Sequence, residues 1–208
     1  MKAKNCLIFG GSGQIGRNLI RKLTKSNYKV TVVTRNIHQK SYIIKTQANA
    51  GYIDIVEAKI FEENKLRELF EKADICINLI GILFEQKKGN TFKNIHTIFP
   101  SLLAKLAKEY KLKNFIHLSA LGINEAEDSN YAKSKLDGER NIFKNFPLAT
   151  CLNSLSDSWS RFYKCMDNAR KKGTASGATV CCQEQIECTG HGLTSKIKEC
   201  QDKANVTW

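Results

Sequence analysis

Cys6-Leu7-Ile8-Phe9-Gly10-Gly11-Ser12-Gly13-Gln14-Ile15-Gly16 is the stretch on which the fold turns. Four apolar residues of strand length run straight into glycines at 10, 13 and 16. Ile15, Leu19, Ile20 and Leu23 then recur at helical spacing through residues 14–26. A strand, a glycine-rich turn and a helix in that order make a phosphate-binding loop. Gly10 allows the tight turn, Gly13 lets backbone approach a pyrophosphate, and Gly16 lets the helix pack closely on the sheet. The helix start offers unpaired N–H groups and a positive dipole end to the phosphates. Gly11, Ser12, Gln14 and Ile15 complete the residues expected around them.

Working outward, the same alternation repeats. Residues 28–34 (YKVTVVT), 52–57 (YIDIVE), 74–80 (DICINLI) and Phe115 to Leu118 read as strands. Residues 63–72, 91–110 and 130–144 carry apolar side chains at helical spacing. Apolar strands alternating with helices imply a parallel sheet covered on both faces. Right-handed crossovers then favour a doubly wound, Rossmann-like α/β fold. Phe146-Pro147-Leu148-Ala149-Thr150 leads toward a sixth strand, expected from Leu148 to Leu152. The periodicity stops there, which divides the chain into a domain over 1–150 and a tail over 151–208.

The chain has 208 residues, enough for one domain with a small appendage, and a net charge of +13. Many lysines (Lys22, Lys25, Lys65, Lys72, Lys105, Lys108) fall on outer helix faces among acids and leucines, as a solvated surface requires. No aromatic-interleaved basic stripe or zinc-finger spacing accompanies them, so nucleic acid is not the expected partner. No apolar run reaches 18 residues, which excludes a membrane-spanning helix. Met1 to Asn5 passes directly into a strand without a cleavage site, so no signal peptide is expected.

Two further places carry chemistry. The second strand ends Val33-Thr34-Arg35-Asn36, where an NAD site would put a carboxylate for the ribose 2′-hydroxyl. Arg35 suits a 2′-phosphate instead, which points to NADP(H), with NAD(H) as the alternative. Tyr131 and Lys135 form Y-x-x-x-K on one helix face. An ammonium beside a phenol favours the phenolate, so Lys135 is expected to lower the Tyr131 pKa. Ser119 ends the fifth strand, at the carboxyl edge of the sheet, where it is expected to face the same crevice.

In this order the motifs resemble those of the short-chain dehydrogenase/reductase family. The resemblance implies that Tyr131 is a general acid/base, that Lys135 tunes it and holds the nicotinamide ribose, and that Ser119 orients a substrate oxygen. It also implies that Asn94 supports a proton-relay water, and that Asn78 to Gly81 line the adenine-ribose side of the cofactor. The runs Ile8 to Gly13, His117 to Gly122 and Tyr131 to Glu139 are similar to an atypical, epimerase/dehydratase-like branch. That branch contains the nucleotide-binding accessory subunit of respiratory complex I (NADH:ubiquinone oxidoreductase) and its bacterial relatives. It implies a tightly held NADP(H), a structural or low-turnover role, and partners among respiratory-complex subunits. The location implied is cytoplasmic or matrix-like, at the periphery of a membrane complex. The alternative is an NADP-dependent oxidoreductase or epimerase. The likeness covers residues 4–150. It departs at Ala58-Lys59-Ile60, where the family commonly has Gly-Asp-Leu, and after Thr150, where no Arg-Pro-Ser follows.

The tail differs in kind. Cys6 and Cys76 lie in apolar strands as packing material, whereas Cys151, Cys165, Cys181, Cys182, Cys188 and Cys200 crowd the last stretch. That usage suits an oxidising compartment, and Asn205-Val206-Thr207 is a glycosylation sequon. The cysteines lack the paired C-x-x-C units of a zinc site, so no metal is expected. Trp159 to Met166 reads as a short helix. A truncated family gene joined to unrelated coding sequence accounts for the change.

Overall fold

The first strand, β1 (Asn5–Phe9), is buried from Cys6 to Phe9 and has a parallel neighbour on each side. A computed structural model describes residues 4–86, 89–124, 129–154 and 180–181. β1 feeds α1 (Gln14–Lys25), followed by β2 (Lys29–Thr34), α2 (Ile37–Lys45) and β3 (Ile53–Glu57). Then come α3 (Glu63–Glu71), β4 (Ile75–Asn78), a π-helical turn over Lys93–Ile98 and α4 (Phe99–Glu109). β5 (Asn114–Ala120), α5 (Asn130–Asn145), β6 (Thr150–Ser154) and a two-residue β7 (Val180–Cys181) complete the order. Every strand pairing is parallel, in the order β3-β2-β1-β4-β5-β6-β7. The chain reverses its direction of winding between β1 and β4, the switch point at which doubly wound sheets open a crevice.

Alternate residues of the central strands serve opposite faces. Leu7, Phe9, Cys76, Phe115 and Cys151 meet Leu66 and Phe70 of α3, Phe99 and Leu103 of α4, and Ile142 of α5. Cys6, Ile8, Val30, Val32, Ile77 and Leu152 meet Leu19 and Ile20 of α1 and Ile44 of α2. Both faces are therefore dry, as parallel sheets require.

Four details depart from the sequence pattern. α2 was not expected, because its apolar residues do not form one stripe: Ile44 is buried while Tyr42 stands 65% exposed. Asn36 starts it by accepting the Gln39 N–H at 3.1 Å. β4 stops at Asn78, whose Oδ1 accepts the Ile80 N–H and turns the chain. The expected helix over 91–110 opens as a π turn, because Pro100 has no N–H for the His96 carbonyl. β6 begins and ends two residues later than expected, since Pro147 and Leu148 sit in a turn closed from Ala149 N to Phe146 O.

The sheet thus continues through residue 154, and Val180–Cys181 pairs with Leu152 and Asn153 at its edge. Cys151, like Cys6 and Cys76, is a buried free thiol, not a member of an oxidised group. The expected Trp159–Met166 helix, the sequon, Cys165, Cys182, Cys188 and Cys200 lie outside the described residues. Among the described residues no helix is long and apolar enough to cross a membrane.

The π turn and α5 touch through a missing side chain. The carbonyl carbon of His96 lies 3.1 Å from where a Cβ on Gly138 would stand, and its oxygen is nearer still. Gly138→Ala should therefore push α5 off the turn and cost about 1–3 kcal/mol, the range for an overpacked site. A urea midpoint equal to the parent's would show that the turn yields freely.

Candidate functional site

The glycine loop closes on itself before α1 begins. Gly10 adopts φ +84°, and a Cβ there would meet the Leu79 carbonyl carbon at 3.1 Å, just past β4. Gly16 is tighter, with no room for a Cβ against the backbone of Gly10 and Gly11. Gly13 is different. It caps α1 without a side-chain acceptor, is exposed, and its Cβ position meets only the Gly10 carbonyl oxygen at 3.4 Å. Ser12, Gln14 and Ile15 line the same loop in exposed or half-buried positions, while Gly11 is buried against Val32. The α1 N-terminus therefore presents bare backbone at the switch point.

Arg35 follows directly on β2, exposed, with Nη1 donating to Asn90 Oδ1 at 3.3 Å. Across the crevice, Gly81 lies beside the Lys135 ammonium: a Cβ on it would be 3.5 Å from Nζ and 3.8 Å from His96 Nε2. Asn78 is fully buried and its amide is engaged at both ends. With Oδ1 held by Ile80 N–H, Nδ2 donates to His117 Nδ1 at 3.1 Å. Asn78 therefore shapes the turn rather than offering its side chain to a ligand.

α5 carries the remaining residues. Ser129 caps it by accepting the Ala132 N–H at 3.3 Å. Tyr131 is half-buried, its ring edge-on to Phe92 at 5.8 Å and to His96 at 5.2 Å. Lys135 is buried and donates to the Leu118 carbonyl at 3.1 Å. Burial lowers its pKa to about 8, against the pull of Glu139 and Cys151. Burial raises Tyr131, and no opposing pull from Lys135 acts on it. This departs from the expectation of a phenolate-favouring pair: burial dominates at Tyr131 and holds it toward the neutral phenol. Ser119 is buried on the sheet face under α5, and makes no hydrogen bond to Tyr131. Asn94 donates to the Gly89 carbonyl at 2.9 Å and does not reach Tyr131.

His96 is the residue that sequence reasoning missed. Its Nε2 accepts the Ile82 N–H at 3.0 Å, so Nδ1 carries the proton and donates to Ser134 Oγ at 2.9 Å. Ser134 in turn donates to the Tyr131 carbonyl at 2.7 Å. One neutral imidazole thereby ties the segment after β4 to the first turn of α5. The available signal was Pro100, which breaks the helical register so that residue 96, not 94, faces Tyr131.

A profile of the NAD dependent epimerase/dehydratase family matches residues 6–141. The chain belongs to that family. Among curated relatives, the NADH-ubiquinone oxidoreductase 40 kDa subunit of Neurospora crassa is 24% identical over 69% of this chain and 38% of its own. NADH dehydrogenase (ubiquinone) 1 alpha subcomplex subunit 9 of Arabidopsis thaliana is 25% identical over 76% and 41%. The chain spans about two-fifths of the length of these relatives. Among solved structures, UDP-glucuronic acid 4-epimerase of Bacillus cereus in complex with NAD superposes with TM-score 0.60. Its identity is 23%, over 72% of this chain and 55% of that one. A mutated uronate dehydrogenase gives 0.68 at 17% identity, over 86% and 74%. The epimerase/dehydratase fold is thereby shown.

The His96 link between Ile82 and Ser134 has a pH signature. Burial, helped by Lys135, lowers His96 from 6.5 to about 4, and burial also lowers His117. Between these limits the unfolded chain binds the proton that the folded one refuses, so the stability these groups confer is full above pH 6.5 and falls on acidification toward pH 4. His96→Gln should flatten that slope between pH 7 and 5 without abolishing it, since His117 remains. A slope equal to the parent's in urea titrations would locate the proton uptake elsewhere.

Proposed function

We propose that this chain is an NADP(H)-binding domain that holds its cofactor within a respiratory-complex type of assembly, with structural or slow catalytic use of it. The observation that carries the reading is Gly13, an exposed helix-capping residue whose Cβ position would meet only the Gly10 carbonyl oxygen, at 3.4 Å. Backbone N–H groups at that helix end suit a pyrophosphate. Arg35, exposed directly after β2 and bonded to Asn90, supports the 2′-phosphate. Gly81 leaves room for a ribose beside the Lys135 ammonium. The glycine loop, Arg35 and Lys135 would hold the dinucleotide, and its nicotinamide would supply the means to take up or deliver hydride.

The assembly role is supported by the relatives, which are named as mitochondrial subunits of NADH dehydrogenase. A matrix-side or equivalent cytoplasmic location, peripheral to membrane subunits, follows from that likeness. Slow turnover is supported by Tyr131, which burial keeps as the neutral phenol, and by a Lys135 bound to Leu118. A second reading, an NADP-dependent oxidoreductase or epimerase, is favoured by Tyr131 and Lys135 sharing one face of α5. There Tyr131 would hold the transferable proton at its hydroxyl, Ser119 would orient a substrate oxygen, and Asn94 would order a relay water. The cofactor-binding unit in either reading runs through β6, to Ser154.

Two substitutions test the site by NADPH fluorescence titration. Gly13→Val should abolish binding while leaving the unfolding midpoint near the parent's, because the new side chain meets little protein. Undiminished NADPH affinity in the valine variant would place the pyrophosphate elsewhere. Arg35→Asp should reverse the cofactor preference toward NADH. A charge-assisted contact is worth roughly 1.5–3 kcal/mol, so the parent should prefer NADPH by about one to two orders of magnitude. Equal affinity for NADPH and NADH in the parent would remove the basis for the 2′-phosphate contact.

A further inference from the structure

Beneath α5 lies a buried polar strip. Parallel register sets His117 beside Cys151 and Ser119 beside Asn153, and all four are buried. Lys135 and Glu139, one turn apart on α5, are 4% and 6% exposed. His117 Nε2, Ser119 Oγ, Glu139 Oε1 and Asn153 Oδ1 lack a hydrogen-bond partner of full geometry. Such a density of unsatisfied buried atoms is costly, and it marks groups retained for something other than packing. Ser119 lies near enough to Glu139 to favour its carboxylate, although without the geometry of a full hydrogen bond.

We propose that Glu139 is the positioning residue that holds the charge on Lys135, and that Ser119 acts on Glu139 rather than on a substrate oxygen. The groups facing Lys135 can be taken one element at a time. His96 from the π turn and His117 from β5 are neutral, since burial lowers both. Cys151 from β6 is a thiol raised by burial. Tyr131, one turn back on α5, is raised as well. Among the described residues Glu139 exerts the larger of the two pulls that favour the ammonium, ahead of Cys151. Among the described residues no ion pair joins the two, and Lys135 Nζ donates to Leu118 O. Their coupling therefore acts through the low-dielectric interior, where a charge is felt without contact. Ser119 completes the arrangement by opposing the upward pull of burial on the Glu139 pKa.

The consequence concerns the charge opposite Gly81. Lys135 is cationic up to about pH 8, so a ligand held by it should weaken as pH rises through that value. The proposal rests on the dinucleotide reading only for that binding effect; the titration of Lys135 itself does not need it.

The test is an NMR titration of the lysine side-chain carbons, with the Lys135 signal assigned from Lys135→Arg, alongside NADPH affinity against pH. Glu139→Gln should lower the Lys135 midpoint by about one pH unit, the scale of a lost opposite charge. The pH above which NADPH binding fades should fall with it. Glu139→Asp should bring the midpoint back toward the parent's, and Ser119→Ala should lower it by less than Glu139→Gln does. If Glu139→Gln does not fold, Glu139→Ala carries the comparison. An unmoved midpoint in Glu139→Gln, or in Glu139→Ala where the amide does not fold, overturns the role of Glu139. An unmoved midpoint in Ser119→Ala alone overturns that of Ser119. A parent that binds no NADPH at any pH sinks the dinucleotide reading while the Lys135 titration still decides this one.

Discussion

Gly16 has no space for one carbon atom, and much of the architecture follows from that contact. Its Cα rests on the backbone of Gly10 and Gly11, so α1 starts as close to the end of β1 as two backbones allow. That closeness keeps Leu19 and Ile20 on the Ile8 and Val32 face of the sheet. It also leaves the α1 N-terminus at the switch point, between the ends of β2 and β4. Gly11 against Val32 and Gly10 against Leu79 lock the loop from both sides. Only Gly13 is left open, and openness is what a phosphate requires.

The opposite wall of the crevice is assembled by a break in helical regularity. Pro100 withholds an N–H from the His96 carbonyl, and the chain answers with a π turn, a device found often at functional sites. The extra residue in that turn rotates His96 toward Tyr131 and its carbonyl toward Gly138. The imidazole then joins Ile82 to Ser134. Three segments meet on one ring, which stays neutral because burial excludes water and the nearby Lys135 charge opposes a second cation.

Buried charge explains the rest of the site. Lys135 lies under the crevice floor donating to one carbonyl, and burial lowers its pKa to about 8. Glu139 lies just as deep one turn away. Each group makes the charged form of the other less costly, the arrangement that a buried pair needs in order to persist. The polar side chains of β5 and β6 beneath them occupy positions that packing alone would give to valine or leucine.

The fold was legible from the glycine loop, because a strand, a tight turn and an amphipathic helix are local and their periods differ. β1, β2, β3, α1, α3 and α5 stand close to where spacing put them for the same reason. Arg35 at the end of β2 could be placed by counting along one crossover. α2 was not legible, since its only buried apolar residue, Ile44, makes no stripe. Nor was the tail's two-residue strand, which is a strand only because β6 offers it an edge. At the site, sequence identified Tyr131 and Lys135 by an i, i+4 spacing that is a property of one helix. It could not tell which residue of the preceding helix meets them, because one proline shifts the register from Asn94 to His96. It could not set their protonation either. A pKa depends on what surrounds a group in three dimensions, and the burial of Lys135 between α5 and β5 exists only once the sheet has formed.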